Sequence, residues 1–170
     1  MGQAKNVLHG IASISVDGAD VGYTEGGVEI EKSFEVFEKL VDQELDAIDI
    51  VPTQYSTIVR TSFAESTLEN IKRAWNEPSS IVTTPGPPKF RTLKLGYQQF
   101  IPSRELIFTG YSPEGLNRIY TLWKAKQVES SAQSLQKGDK IVIPVAFRCL
   151  PDLDKPMEER YGKIDDYETV

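Results

Sequence analysis

Residues 20–75 read DVGYTEGGVEIEKSFEVFEKLVDQELDAIDIVPTQYSTIVRTSFAESTLENIKRAW, and their pattern decides the fold. Asp20 to Val28 has turn chemistry. Gly26 and Gly27 reach positive φ without a Cβ clash, so one strand is expected to end there and another to begin. From Val28 to Val36 the chain alternates. Val28, Ile30, Phe34 and Val36 take one face, and Glu29, Glu31 and Glu35 the other. A period of two predicts a half-buried strand. Phe37 falls out of step, and a one-residue slip would turn the apolar face outward. A bulge or break is therefore expected near residues 36–37.

The arm at residues 40–54 mixes Leu40, Val41, Leu45, Ile48, Ile50 and Val51 with Asp42, Glu44, Asp46 and Asp49, and has no glycine. Pro52 lacks an amide hydrogen, which excludes a central strand. An extended arm, apolar on one side and acidic on the other, suits contact with another chain. Leu40, Val41, Leu45, Ile48 and Ile50 are its candidate interface residues. Ser56 to Phe63 then predicts a strand with Thr57, Val59, Thr61 and Phe63 on one side. Ser66 and Glu69 have the spacing of a capping box, which predicts a helix over about residues 66–75. Leu68, Ile71, Lys72 and Trp75 share a face of it at 3/4 spacing, with cations in the last turn.

The order of these pieces resembles the tail tube proteins of tailed bacteriophages. That family has a D-x-G-Y-T-x-G-G-V turn, matched by Asp20 to Val28. Its K-V-D-Q arm is matched by Lys39 to Gln43 with one residue inserted, and its A-E-x-T-L-E-N-L helix by Ala64 to Ile71. The likeness covers roughly residues 10–75, with a partial Y-x-I-x-D ending at Tyr161 to Asp165, and leaves the later strand order open. It implies a virion structural protein, built in the host cytoplasm. Six copies would form a ring, with sheets joined around a channel. Stacked rings would make a tube that conducts genomic DNA from capsid to host. The implied partners are further copies of the chain and other tail proteins. DNA would meet the lumen only in non-specific, repulsive contact, with Glu29 and Glu31 as the lumen-facing acids. The arm would make ring-to-ring contacts. The other readings are a tail terminator or completion ring protein and a mainly-β glycan-binding module.

Composition fits this expectation. The chain has 170 residues, 39% hydrophobic and 26% charged, which suits one domain spanning 1–170 with one core. Residues 1–10 read as a tail and 150–170 as a charged, proline-bearing terminal segment. A net charge of −6 argues against a protein built to grip phosphates. No apolar run approaches the roughly 20 residues a membrane helix needs, so no membrane insertion is expected. The first ten residues lack a signal-peptide core and the myristoylation pattern. Cys149 is the single cysteine, which excludes an intrachain disulfide and reads as a core residue.

Other segments are less distinctive. Residues 11–16 predict a short strand closed by the Asp17-Gly18 turn, with Val21 to Tyr23 opening the returning strand. Residues 76–89, with Pro78, Pro85, Pro87 and Pro88, predict a loop. Further strands are expected over 91–96 with Leu93 and Leu95 inward, over 105–110, over 119–127, and over 140–148 with an edge or bulge at Pro144. The sum is seven or eight strands and one helix: mainly β, a single-domain sandwich or barrel with one flanking α-helix.

No reaction chemistry is visible in the chain. His9 is its single histidine and lies in the tail, so no Ser/His/Asp triad can form. HExxH, Walker A and GxSxG motifs are absent, and two Cys/His residues in all cannot make a zinc site. Glu29, Glu31, Glu35 and Glu38 read as a solvated strand face. Asp17 and Asp20 complete no EF-type calcium loop. Phe34, Phe37, Phe63, Trp75, Phe108, Tyr120, Trp123 and Phe147 read as core. The KFRTLK stretch, residues 89–94, is too short for a base-stacking platform. A non-enzyme without catalytic, metal or cofactor site is the expectation.

Overall fold

The computed structural model describes residues 10, 13–97, 99–113, 116–135 and 138–168. The tail with His9, and residues 11 and 12 of the first expected strand, lie outside the described residues. The chain is mainly β, with antiparallel sheets and one helix, an arrangement consistent with a β-sandwich flanked by a helix. Ten strands form. They are β1 (Ser13–Val16), β2 (Ala19–Asp20), β3 (Thr24–Lys39), β4 (Asp49–Phe63), β5 (Val82–Thr84), β6 (Phe90–Thr92), β7 (Arg104–Tyr111), β8 (Asn117–Gln127), β9 (Ile143–Leu150) and β10 (Gly162–Tyr167). The helix α1 (Leu68–Ala74) follows β4. The main sheet runs β2-β1-β7-β8-β9-β4-β3, and β5 and β6 make a separate small hairpin.

Strand β8 holds the sheet together and also forks it. One edge pairs with β7. The other pairs with β10 over Asn117 to Leu122 and with β9 over Lys124 to Gln127. Trp123 stands at the fork. Its indole N–H donates to the Glu159 carbonyl at 2.8 Å, and the Lys155 ammonium lies 4.3 Å from the ring centroid. Lys124 pairs with Asp152 at 2.7 Å on the same connection. The charged, proline-bearing terminal segment is therefore fastened down and carries a strand of its own. Its charges pair across to β8. Arg118 binds Asp166 bidentately at 2.6 and 2.7 Å, and Ser112 donates to the same carboxylate at 2.9 Å.

The core gathers Ile14, Val16, Leu106, Ile143 and Phe147, with Val59 and Phe63 of β4. The predicted inward set of β4, Thr57, Val59, Thr61 and Phe63, is buried throughout. Cys149 is buried as expected, and burial pushes its thiol up to about 11. Gln127 is buried yet satisfied: its Oε1 accepts from Ala146 N at 2.8 Å and its Nε2 donates to Glu129 O at 3.0 Å. Pro144 lies where β9 has run past its last β8 pair, Gln127 with Phe147, so that side of Pro144 has no ladder to break.

Several expectations fail for identifiable reasons. The two glycines do not separate strands. Both sit inside β3 at φ 76° and 77°, as a bulge between the pairs Glu25–Ser62 and Val28–Thr61, and the Thr61 hydroxyl donates to Gly27 O at 2.8 Å. The helix cap is Thr67, whose hydroxyl accepts from Asn70 N at 3.2 Å, because Ser66 is engaged by Gln133. The fully buried line of α1 is Asn70 and Ala74; of the expected face Ile71 packs on the core, while Trp75 is exposed. Asn70 turns inward because its amide donates to Val21 O at 2.8 Å and Glu65 O at 3.0 Å, carbonyls otherwise orphaned by the turn. The returning strand after Asp17-Gly18 starts earlier than expected, at Ala19, and stops at Asp20. The loop at 76–89 contains β5. The strand expected over 91–96 shortens to β6, since its partner β5 offers three residues, and Leu95 is left 67% exposed.

Candidate functional site

Strands β3 and β4 form a hairpin far longer than the body that supports it. Their ladder runs from Thr24–Phe63 to Lys39–Asp49. Strand β9 supports β4 only from Thr57 to Phe63. Residues 49–56 of β4 therefore lie beyond that support, a reach of about 25 Å at strand rise. The expected break appears as a register shift between Glu35 and Val36. Thr53 is the extra residue, opposite no partner, and Pro52 next to it pairs with Val36. Strand β4 has no neighbour on its outer side here, so Pro52 occupies an edge strand, where proline is tolerated.

Thus the arm of residues 40–54 is not one extended limb. It is the returning strand of a hairpin plus its tip, residues 40–48. The tip closes locally. Ile48 N donates to Lys39 O at 2.9 Å, Glu44 N to Val41 O at 3.2 Å, and the Lys39 ammonium pairs with Asp49 at 2.8 Å. Exposed ion pairs of this kind contribute about 1 kcal/mol or less. They fix the shape of the tip without anchoring it to the body.

The hairpin carries its apolar residues into solvent. The face that is core at the base, with Val28 beside Thr61 and Ile30 beside Val59, continues outward as Phe34 beside Tyr55. Val28 packs on the core, whereas Phe34 is 63% exposed. The predicted half-buried strand is thus half-buried only at its root. Its outer part has nothing above it. The rings of Phe34 and Tyr55 lie 6.2 Å apart, tilted by 43°. Beyond the bulge Phe37 is 60% exposed, and the candidate interface residues Leu40, Val41, Leu45, Ile48 and Ile50 are all exposed, Leu45 completely. Phe34, Phe37 and Trp75, expected in the core, are exposed, while Phe63, Phe108 and Phe147 are buried.

The opposite face is acidic. Glu29 pairs with Arg60 across the ladder and Glu31 with Ile58. Arg60 reaches Glu31 at 2.5 Å and Glu129 at 3.2 Å. Hydrogen bonding to Glu31 raises the Arg60 guanidinium above its ordinary value. The two candidate lumen acids do share a solvent face, but Glu31 is partly neutralised, whereas Glu29 makes no ion pair among the described residues. Arg60, Tyr55, Phe34 and Phe37 carry no site signal in the sequence. Register alone reveals Arg60, because it lies 29 residues from Glu31.

The hairpin root is set by Gly22 and Glu65. Glu65 accepts from Tyr23 N at 3.0 Å, and Gly22 has φ 78° with Glu65 where a Cβ would stand, 2.1 Å away. The positive φ requires glycine at position 22, and a side chain there would also push the Glu65 carboxylate off the Tyr23 amide. Among the described residues no group of three His, Cys, Asp or Glu side chains is placed to hold a metal ion, and no helix is long and apolar enough to cross a membrane. Neither a family model nor a curated protein matches the chain.

Proposed function

We propose that the chain is a structural protein of a phage tail, a tube subunit whose hexameric rings stack and conduct DNA from capsid to host. The observation that carries this reading is the outer half of the β3–β4 hairpin, with Phe34, Val36, Phe37, Leu45, Ile48 and Ile50 uncovered on a ribbon that its own body does not support. A two-stranded ribbon is marginal in water by itself. Burying even four such side chains contributes roughly 6–12 kcal/mol before the costs of association. A second copy is the natural cover, since every copy carries the same need. The order of sequence motifs shared with tail tube proteins supplies the rest, and no catalytic role is assigned to any residue. Glu29 on the acidic face is the residue best suited to keep DNA from adhering to a channel wall.

Electron microscopy of the purified chain tests the reading. Tubes of stacked rings are expected. Rings that never stack would replace it with a terminator role, and dispersed monomers at every concentration would end it.

A further inference from the structure

A cleft of about 370 Å³ lies between the C-terminal half of α1, the Asp17 turn and the start of β7. Its charged lining is Asp17, Glu69, Lys72, Arg73 and Arg104. The two acids are already engaged: Asp17 by Arg104 at 2.8 Å, Glu69 by Arg91 from β6. Lys72 and Arg73 make no ion pair among the described residues, and Arg73 donates to the Asn70 amide oxygen at 3.1 Å while feeling the Asp17 and Glu69 charges at longer range. Arg104 keeps just 12% of its side chain exposed, and its Nε is buried with no partner among the described residues. Burial first and the Arg104 charge second hold Arg73 below its ordinary value, against the opposing pull of Asp17 and Glu69, and an added anion would offset the Arg104 repulsion. In a chain of net charge −6 this is a local excess of cations.

The hairpin tip is its complement. Residues 40–48 hold three acids, Asp42, Glu44 and Asp46, and no lysine or arginine. All three are exposed, and none has an ion-pair or hydrogen-bond partner for its carboxylate among the described residues. Leu45 stands fully exposed between two of them, and Ile81 is the apolar member of the cleft wall. We infer that the acidic tip of one copy, Asp42 to Asp46, docks in the cationic cleft beside α1 of a second copy, placing carboxylates on Lys72 and Arg73. This rests on the reading of the hairpin as an assembly arm, and adds to it the surface that receives the arm. Opposed charges of this kind fix register and exclude wrong partners. Duplex phosphate is the poorer occupant, because it offers no apolar group to Ile81, whereas the tip offers Leu45.

The test uses full-length chains, with assembly followed by sedimentation and electron microscopy. Lys72→Glu/Arg73→Glu reverses the cleft, and Asp42→Lys/Glu44→Lys/Asp46→Lys reverses the tip. Each variant alone is expected to lose assembly by at least about tenfold. Mixed in equal amounts, the two should co-assemble, since each then offers what the other needs. Circular dichroism checks the fold of each. If a reversal unfolds the chain, Lys72→Gln/Arg73→Gln probes the same contact by neutralising it, and weaker assembly is again expected. Normal assembly of either reversed variant overturns the inference, as does a mixture that stays apart. So does DNA binding that Lys72 and Arg73 support without any effect on assembly. A chain with residues 40–48 replaced by a short turn separates the two ideas. If it still forms tubes, the assembly-arm reading falls. If it fails while the cleft variants assemble normally, only the cleft falls.

Discussion

Between Thr57 and Phe63, β4 has β3 on one side and β9 on the other; between Asp49 and Ser56 it has β3 alone. The residue types barely change along its length. Val59 and Phe63 in the first part are fully buried, while Ile50 and Tyr55 in the second stand in solvent. The inner half obtains its stability from packing within the chain. The outer half keeps the same β-branched and aromatic chemistry with nothing to pack on. The difference teaches that side-chain pattern states which face wants cover, and topology states whether the chain itself provides it.

The largest effect should come from the inner half. Phe63→Ala removes a side chain with no exposed surface and is expected to cost about 3–5 kcal/mol of folding stability, read by denaturant unfolding. A comparable loss from Phe34→Ala in a dilute monomer would erase the contrast between the halves. Next comes Leu45→Ala/Ile48→Ala/Ile50→Ala. It should leave the folding stability within about 0.5 kcal/mol of the parent, as surface changes do, yet suppress self-association in sedimentation runs. A smaller effect is expected at the helix. Thr67→Ala deletes the cap of α1 and should cost about 1 kcal/mol. Ser66→Ala should cost less, which distinguishes the observed cap from the one the capping-box spacing suggests.

The smallest effect concerns pH. Hydrogen bonding to Arg118 holds the Asp166 carboxyl below its ordinary 3.8. A depressed carboxyl releases its proton more readily in the folded chain. Its contribution is therefore complete above 3.8 and disappears as pH falls through the lowered value. Asp166→Asn should remove that portion of the acid sensitivity, and hydrogen exchange should quicken in β10 while β9 stays protected. Equal quickening in both strands would show that β8 does not divide the sheet into separable branches.

The legible parts of the fold are those where a pattern and its cover lie in the same chain. The alternation of Thr57, Val59, Thr61 and Phe63 and the step at Val36 are readable because each follows from the pleat. The exposure of Phe34 is not, because an apolar strand face looks the same whether or not another surface lies over it. Asn70 is hidden for a different reason. A polar residue turns inward only when carbonyls await it, and Val21 and Glu65 meet it through the turn of the chain. Strand β10 is masked by its charges, since Asp166 signals a strand only once Arg118 lies opposite. Of the candidate site, the tip residues are readable from composition, while Arg60 and the cleft beside α1 need the register of distant segments.

Strand β3 is the last in its sheet, and its outer edge offers a row of backbone donors and acceptors to any passing strand. Five glutamates and two lysines occupy that strand. Like charge among the glutamates guards the edge against the same edge of another copy. Near the isoelectric point of about 4.9 the net charge of the chain vanishes while the edge stays open, so turbidity should rise there first. Handling the protein well above that point keeps the edge reserved for ordered contact instead of precipitation.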